Sequence, residues 1–394
     1  MTRRLPFALL SWLALLILVV GLACQSPSAG APVQTDSQGM SVLDEAIAIL
    51  REDYVDPSAP VLADPALRNK AAIQGILDEL DDPYTSYLDK EERQLWESSF
   101  AGSFEGIGAT VDVDDGRFSV TAPIAGSPAE QAGVRAGDWI QQVDGRSTDG
   151  LSVQQAILLV RGPRGSQVTL TILHQGDSQP VEITIIRDTI KVPSLTWEMK
   201  DGVAHVRLST FGERSAAEMQ DALREIQRLK ATGLVLDLRH NPGGLLEIAI
   251  QIASQFLKDG LVLYEGDNKG GREPVKVRPG GLATDIPMVV LVDNASASAS
   301  EVVAGALRDH ARATIIGATT VGKGSINQVH DLSDGSALMI TIARWYTPNG
   351  DLIQGKGITP DVTAERTPED VKAQRDPPLD KALEVLRQNT AVQP

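Results

Sequence analysis

Hydrophobic side chains change their spacing along the chain, and each spacing predicts a different kind of structure. Between residues 40 and 98 they recur every three or four positions, which predicts a helical arm interrupted at D-D-P-Y-T-S-Y-L (81–88). In 99–190 short segments alternate apolar with polar residues, and one apolar-faced helix is expected at 152–161. This second region therefore predicts a small β-rich domain.

Residues 191–365 change the pattern again, to apolar strands separated by amphipathic helices. The strands read V-A-H-V-R-L, G-L-V-L-D-L-R, P-M-V-V-L-V-D and A-T-I-I-G, and helices are expected over 216–230, 245–257 and 300–310. Apolar strands joined by helices are typical of a mainly parallel sheet that is buried on both faces. The chain is therefore predicted to be a multidomain α/β protein, and 366–394 a C-terminal tail with a peripheral helix and a frayed end.

The N-terminus has the pattern of an export signal. Two arginines precede a long apolar run that ends at Cys24, so we expect the rest of the chain to be extracytoplasmic, in a periplasm or at the outer face of the cell membrane. The letters G-L-A-C at 21–24 are similar to a bacterial lipoprotein signal with a lipidated cysteine, although Gly21 stands where leucine is usual. An uncleaved membrane helix and an ordinary cleaved signal are the alternatives for 1–24. Residues 25–39 predict a flexible tether.

Composition and charge exclude several functions. The 394 residues carry a net charge of −16, which disfavours nucleic-acid binding because phosphate neutralisation needs clustered Lys and Arg. The five histidines form no paired metal-binding signature, so we expect neither a metal nor another cofactor. The single cysteine rules out an internal disulfide.

The segment D-N-A-S-A-S-A-S-E (293–301) lies where a predicted apolar strand ends and a predicted helix begins. Ligands bind at this edge of open α/β sheets, and a helix N-terminus presents unpaired N–H groups that stabilise negative charge. A serine at this position is therefore either a helix cap or a nucleophile whose reaction develops an oxyanion.

Two further turns follow strands in the same region. Residues 234–247 contain the turn N-P-G-G, and glycines let a backbone approach a ligand closely. Residues 319–328 place Lys323 between two glycines. Burial disfavours the charged form of a lysine, and a neutral amine can act as the general base towards a serine hydroxyl. The three turns therefore predict one shared site with Ser–Lys chemistry.

These motifs resemble the carboxyl-terminal processing peptidases, which are S41-type serine proteases with a PDZ domain. The matching stretches are D-L-R-H-N-P-G-G-L-L, S-A-S-A-S-E-V-V-A-G-A-L-R-D, V-G-K-G-S-I and A-R-W-Y-T-P-N-G. The PDZ likeness rests on G-I-G-A (106–109) and S-P-A-E-Q-A-G-V-R-A-G-D-W-I. The resemblance implies a PDZ-like domain at 99–190 and a peptidase core at 191–365 with a crotonase-like or ClpP-like fold.

The resemblance also implies roles for individual residues. Ser298 matches the nucleophile and Lys323 the general base. The backbone N–H groups of Ala299 and Gly244 match the oxyanion hole, with Gly243 as the alternative to Gly244.

The roles of four further residues stay open within the resemblance. Asp309 stands where some members were assigned an acidic third residue, although an Asp at a helix end is often solvated. The family usually has Gln four residues after the lysine, where it orients the amine; Asn327 stands there in this chain and Gln328 follows, so either could do so. Glu301 either caps the helix or holds the turn of the nucleophile.

A PDZ-like domain implies protein or peptide substrates recognised by their C-termini. In such domains a peptide adds as a strand to a sheet edge and a loop captures its carboxylate. Gly106, Ile107, Gly108 and Ala109 would form that loop, and the apolar residues of helix 152–161 would accept an apolar C-terminal side chain. An aspartate at Gly108 is expected to weaken peptide binding and to leave the fold intact.

Three functions are compatible with the sequence. The first is an exported serine endopeptidase that uses a Ser–Lys dyad and cleaves proteins near or from their C-termini. The second is a catalytically inactive PDZ-bearing scaffold on the same fold, and the third is another acyl-transfer enzyme such as an amidase. The helical arm is also suited to forming a homodimer.

Overall fold

A computed structural model describes residues 37–56, 58–114, 117–267 and 269–391. The predictions for the export segment 1–24, with lipidation at Cys24, and for most of the tether lie outside these residues. Within them, no helix combines the length and the apolar character needed to cross a membrane. The chain divides into two compact units, residues 1–68 and 69–394.

The predicted arm is helical. Its elements are α1 (Ser37–Asp53), α2 (Pro60–Ala63), α3 (Pro65–Glu79), β1 (Ser86–Leu88) and α4 (Lys90–Phe100). α4 begins with a capping box, in which the Asp89 side chain accepts the Glu92 N–H and the Glu92 carboxylate accepts the Asp89 N–H. α1 leaves large apolar side chains exposed, namely Val42, Leu43, Ile49 and Leu50.

The β-rich region is built around one sheet of antiparallel strands. Its strands occur in the order β3-β4-β5-β7-β8, β6 pairs with β5, and β2 pairs with β9 outside this sheet. The apolar positions of these strands alternate and pack inwards with α6, as the sequence pattern predicts. The elements are β2 (Ser103–Gly106), β3 (Ala109–Asp114), β4 (Arg117–Pro123), α5 (Pro128–Gln131), β5 (Trp139–Val143), β6 (Arg146–Ser147), α6 (Val153–Val160), β7 (Gln167–Leu173), β8 (Val181–Ile186) and β9 (Asp188–Lys191).

The next region contains the predicted parallel sheet, in the order β10-β11-β12-β15-β16-β19. Only the β10–β11 pair of this sheet is antiparallel, so the predicted α/β class with a mainly parallel sheet is confirmed. The elements are β10 (Leu195–Lys200), β11 (Val203–Leu208), α7 (Ser215–Arg228), β12 (Gly233–Asp237), α8 (Leu246–Phe256), β13 (Leu261–Gly266), β14 (Arg272–Lys276), β15 (Met288–Val292), α9 (Ala299–Asp309), β16 (Thr314–Gly317), β17 (Ser325–Asp331), β18 (Ala337–Tyr346), β19 (Val362–Thr363), α10 (Pro368–Lys372) and α11 (Pro377–Ala391).

Helices cover both faces of the parallel sheet, which explains why its central strands carry no polar position before their ends. The large core cluster packs α7, α8 and α9 against one face. On the other face lies α11, whose buried side chains are Leu379, Ala382, Leu383 and Leu386. The tail was expected to be peripheral; instead its helix buries an apolar stripe against the strands, because a two-sided sheet needs a second cover.

A second sheet carries the catalytic candidates that follow β16. Its order is β1-β18-β13-β14, and β17 pairs antiparallel with β18. β17 begins two residues after Lys323, and β1 begins two residues after Tyr84. Since both strands flank β18, this sheet brings the D-D-P-Y-T-S-Y-L turn to the lysine.

Candidate active site

The three serines of the turn between β15 and α9 differ in burial and in hydrogen bonding. Ser296 and Ser300 are fully buried, and their hydroxyls donate to the backbone carbonyls of Leu238 (2.8 Å) and Asn241 (3.0 Å). Ser298 is half-buried, with φ +55° and ψ −115°. A non-glycine residue with such angles stores strain of about 1–3 kcal/mol and is typical of a functional turn. The hydroxyls of the outer two serines are thus tied to the backbone, whereas the central serine is the candidate nucleophile.

Asn241 joins this turn to the N-P-G-G turn that follows β12. Its side chain donates to the carbonyl of Leu208 (2.9 Å) and accepts the N–H of Gly243 (2.9 Å), and its own carbonyl accepts the N–H of Ala297 (3.0 Å). The hydrogen bond from the N–H of Gly243 to the side chain of Asn241, two residues earlier, forms an Asx turn. Because Asn241 is completely buried, these bonds are protected from water and fix the two turns together.

Gly243 of this turn lies against Ser298. A Cβ at Gly243 would stand 2.8 Å from Cβ of Ser298 and 3.0 Å from the nitrogen of Ala299, so only glycine fits. The N–H of Gly243 is already used in the Asx turn. In the part of the chain that the structure describes, the N–H groups of Gly244 and Ala299 donate to no protein acceptor. Those two amides are therefore free for an oxyanion, and that of Gly243 is not.

A buried carboxylate joins the turn of Ser298 to the loop of Lys323. Oε2 of Glu301 accepts the backbone N–H of Ser298 (2.7 Å) and that of Lys323 (2.9 Å). Oε1 accepts the N–H of Gly322 (2.6 Å) and the hydroxyl of Thr320. One fully buried side chain thus clamps the turn before α9 to the Gly-Lys-Gly loop.

The surroundings of Lys323 favour a neutral amine. Burial lowers its pKa, and the negative charge of Glu301 opposes this only in part. Among the described residues Nζ forms no ion pair and donates no hydrogen bond to protein; it lies 5.3 Å from the centre of the Tyr84 ring. A lysine without a contacting counter-ion can accept a proton from a serine.

The side-chain amides of Asn327 and Gln328, which follow Lys323 in the sequence, lie in different environments. Nδ2 of Asn327 donates to the carbonyl of Tyr84 (2.7 Å) and to Oγ1 of Thr341 (3.3 Å), and its Oδ1 accepts the hydroxyl of Ser325 (3.1 Å). Gln328 is exposed on β17. Neither amide bonds to the amine of the lysine within the described residues.

Asp309 lies at the other end of α9 from Ser298. The helix has 11 residues, so the two ends are about 15 Å apart along its axis. The Asp309 carboxylate is buried, pairs with Arg308 (2.9 Å) and accepts the N–H of Asn349 (2.9 Å). The structure thus does not bring Asp309 to the nucleophile, and its bonds are those of a helix-end anchor.

An apolar cavity of about 260 Å³ lies in the β-rich domain, between β3 and α6. Gly106, Ile107, Gly108 and Ala109 line it together with Ile157 of α6. β3 is the edge strand of its sheet, and within the described residues the N–H groups of Ile107 and Gly108 donate to no protein acceptor. An open edge beside a loop with free amides is what an added peptide strand with a terminal carboxylate requires.

The expectation for an aspartate at Gly108 needs correction. Gly108 has φ +78°, and a Cβ there would stand 2.5 Å from Cβ of Ser127 and 3.0 Å from Cδ1 of Ile190. A side chain at this position would disturb the packing of the domain, so the fold would not stay intact.

The chain is similar to known proteases over most of its length. The model of peptidase family S41 matches residues 202–364, and a PDZ-domain model matches residues 119–173. A carboxy-terminal-processing protease of Bartonella bacilliformis is 41% identical over 300 residues, which are 75% of this chain and 69% of that protein. This chain belongs to the carboxy-terminal processing proteases of peptidase family S41.

Two further relatives support this membership in the S41 family. Carboxy-terminal processing protease CtpA of Bacillus subtilis is 39% identical over 295 residues, 75% of this chain. The match spans 63% of that relative, less than two thirds of its length. The solved structure of a photosystem II D1 C-terminal processing protease is 31% identical, with a TM-score of 0.52, over 86% of this chain and 96% of that one.

A largely buried group of charged side chains lies at the carboxyl end of β12. Arg239, two residues after the end of β12, bonds to Asp237 (2.7 Å) and to Asp376 (2.7 Å), and His205 contacts Asp237 at 3.0 Å. Burial acts to raise the pKa of Asp237, but the hydrogen bonds from Arg239 and His205 outweigh it and hold the pKa below its ordinary value. The strand end that leads into the N-P-G-G turn is thereby fixed and tied to the start of α11.

Two residues of the site were not predicted from the sequence. Asn241 could have been found, because an Asn two residues before a glycine is a signal for an Asx turn. Tyr84 carried no such signal, since its contacts with Lys323 and Asn327 arise from strand pairing across 239 and 243 residues of chain.

Proposed function

We propose that this protein is an exported serine endopeptidase that cleaves proteins near or from their C-termini with Ser298 as nucleophile and Lys323 as general base. One observation carries the proposal: a single buried carboxylate, that of Glu301, bonds to the backbone of both residues. The strained backbone of Ser298, the free amides of Gly244 and Ala299 and the lowered pKa of Lys323 support it.

The proposed reaction follows the Ser–Lys variant of acyl transfer. The hydroxyl oxygen of Ser298 attacks the carbonyl carbon of the peptide bond while Nζ of Lys323 accepts its proton. The N–H groups of Gly244 and Ala299 stabilise the oxyanion of the tetrahedral intermediate. Lys323 then gives the proton to the leaving amine, an acyl-enzyme remains, and water releases it with Lys323 again as the base.

Cleavage of an unfolded test protein by the purified full-length chain tests this function. We expect fragments from the wild type, no fragments above background from Ser298→Ala, and wild-type cleavage by Ser178→Ala, an exposed serine outside the site. If the wild type stays silent, also with added peptides that have apolar C-termini, the scaffold function replaces the peptidase. Hydrolysis of small amides without cleavage of proteins would instead indicate an amidase.

We also propose that the PDZ domain captures substrate C-termini in the cavity between β3 and α6. The edge strand, the free amides and the apolar lining support an extended peptide with an apolar last residue.

A charge on the wall of this cavity is expected to weaken binding. Ile157→Asp places a carboxylate against the apolar C-terminal side chain of the bound peptide and near the peptide's own carboxylate. We therefore expect the Kd of a peptide with an apolar C-terminus to rise at least about tenfold. Val181→Asp is the matched control, because Val181 is 40% exposed on β8 and does not line the cavity. Equal affinities of the two folded variants would contradict the proposed groove.

Export and assembly complete the proposal. The basic and apolar N-terminus supports an extracytoplasmic enzyme anchored to the membrane, through a lipid on Cys24 or through the apolar segment itself. The exposed apolar side chains of α1 support a homodimer formed through the arm. The substrates are proteins or peptides with apolar C-termini, and no cofactor is required for the reaction as written.

A further inference from the structure

The ring of Tyr84 covers the amine of the proposed base. Nζ of Lys323 lies 5.3 Å from the ring centre, within the distance at which an aromatic face attracts a cation. Both side chains are half-buried. Within the described residues Nζ forms no ion pair and donates no hydrogen bond to protein, so the ring of Tyr84 is a contact that can hold the end of the lysine.

The turn that carries Tyr84 is fixed by its own hydrogen bonds. The carboxylate of Asp82 accepts the N–H of Tyr84 (3.1 Å) and the hydroxyl of Thr85 (2.8 Å). The same hydroxyl oxygen of Thr85 accepts the N–H of Thr341 on β18 (3.1 Å). The ring is therefore presented to the lysine by a rigid turn pinned to the second sheet.

Asn327 provides the link between this turn and β17. Its Nδ2 donates to the carbonyl oxygen of Tyr84 (2.7 Å), and its Oδ1 is held by Ser325 (3.1 Å). The side-chain amide of Asn327, four residues after Lys323, therefore bonds to Tyr84 and not to the amine of the lysine.

From these contacts we propose that Tyr84 is a positioning residue for Lys323 and that Asn327 acts on the lysine through Tyr84. The ring restricts the amine to the position from which it reaches the hydroxyl of Ser298 and keeps water from its outer side. The inference rests on the proposed peptidase function. It assigns a catalytic consequence to the D-D-P-Y-T-S-Y-L turn.

Steady-state cleavage of a peptide substrate by full-length variants tests the inference. For Tyr84→Leu we expect kcat to fall about 10- to 100-fold with KM unchanged, because the loss is in the geometry of the base and not in substrate binding. Tyr84→Phe keeps the ring and is expected to retain kcat within about threefold. Tyr87→Leu is the matched control, since Tyr87 lies in β1 of the same segment and has no contact with the lysine among those described.

A double variant separates positioning from general destabilisation. Asn327→Leu removes the bond to the Tyr84 carbonyl and is expected to lower kcat about tenfold, while Asn327→Leu combined with Tyr84→Leu is expected to be no slower than Tyr84→Leu alone. Thermal unfolding of each variant shows that it is folded. Wild-type kcat in Tyr84→Leu, or effects of the two changes that simply multiply, would overturn the inference. A silent wild type would instead refute the peptidase function, so the two failures are distinguishable.

Discussion

Lys323→Met is expected to lower the rate of peptide cleavage by at least about 10³-fold while the protein remains folded. Methionine keeps the length and the apolar stem of the lysine but removes the amine that accepts the proton of Ser298. Lys356→Met is the matched control, because Lys356 is an exposed lysine on a neighbouring loop, and we expect wild-type rates from it.

The pH profile of the wild type provides the second half of this prediction. Only the neutral amine is a base, so the rate rises with pH as Lys323 loses its proton. Because burial lowers the pKa of Lys323, the midpoint of this rise lies below the range of an exposed lysine. A rate that falls between about pH 6 and 9, or a Lys323→Met variant with more than a tenth of wild-type activity, would contradict the role of this lysine.

Glu301→Gln is expected to damage both stability and activity. Two donors bond to each carboxylate oxygen, namely Ser298 and Lys323 to Oε2 and Thr320 and Gly322 to Oε1. An amide can accept on only one side, and its NH₂ group then faces two donors that have lost their acceptor. We expect the free energy of unfolding to fall by about 3 kcal/mol, since buried donors are left unpaired.

The activity of Glu301→Gln should fall by at least about 10²-fold, because the Ser298 turn and the Lys323 loop lose their common anchor. The control is Glu225→Gln, whose carboxylate pairs with Arg228 at the surface and whose loss should leave the stability close to that of the wild type. Chemical denaturation and cleavage rates measure the two effects. A Glu301→Gln variant as stable and as active as Glu225→Gln would show that the clamp is not needed.

The fold could be predicted from the sequence where side-chain periodicity reflects burial. The strand M-V-V-L-V and the strand G-L-V-L-D, which is apolar up to its last residue, predicted a sheet covered on both faces. The structure places the two side by side at the centre of the sheet. The role of α11 was not predicted. In its sequence the apolar residues alternate with charged ones. Such a helix packs on the sheet only if the other helices leave one face of that sheet uncovered.

The candidate site was predictable only where local motifs carry the information. The strand-to-helix turn and the Gly-Gly and Gly-Lys-Gly loops predicted one shared site at a sheet edge, and the family resemblance singled out Ser298 and Gly244 within it. The different bonding of the three serines depends on distant acceptors. Ser296 donates to Leu238, 58 residues away in sequence, and Ser300 donates to Asn241, 59 residues away. The partner of Asn327 is 243 residues distant, and no pattern along the chain encodes that pairing.

Covalent labelling of the full-length protein by a serine-reactive phosphonofluoridate, with the labelled residue mapped by mass spectrometry, tests the central claim most directly. The Ser–Lys account predicts that the label lies on Ser298, that Ser298→Ala is not labelled, and that Lys323→Met is labelled at least about 10²-fold more slowly. A label on another serine, or equal labelling rates in the wild type and Lys323→Met, would contradict it.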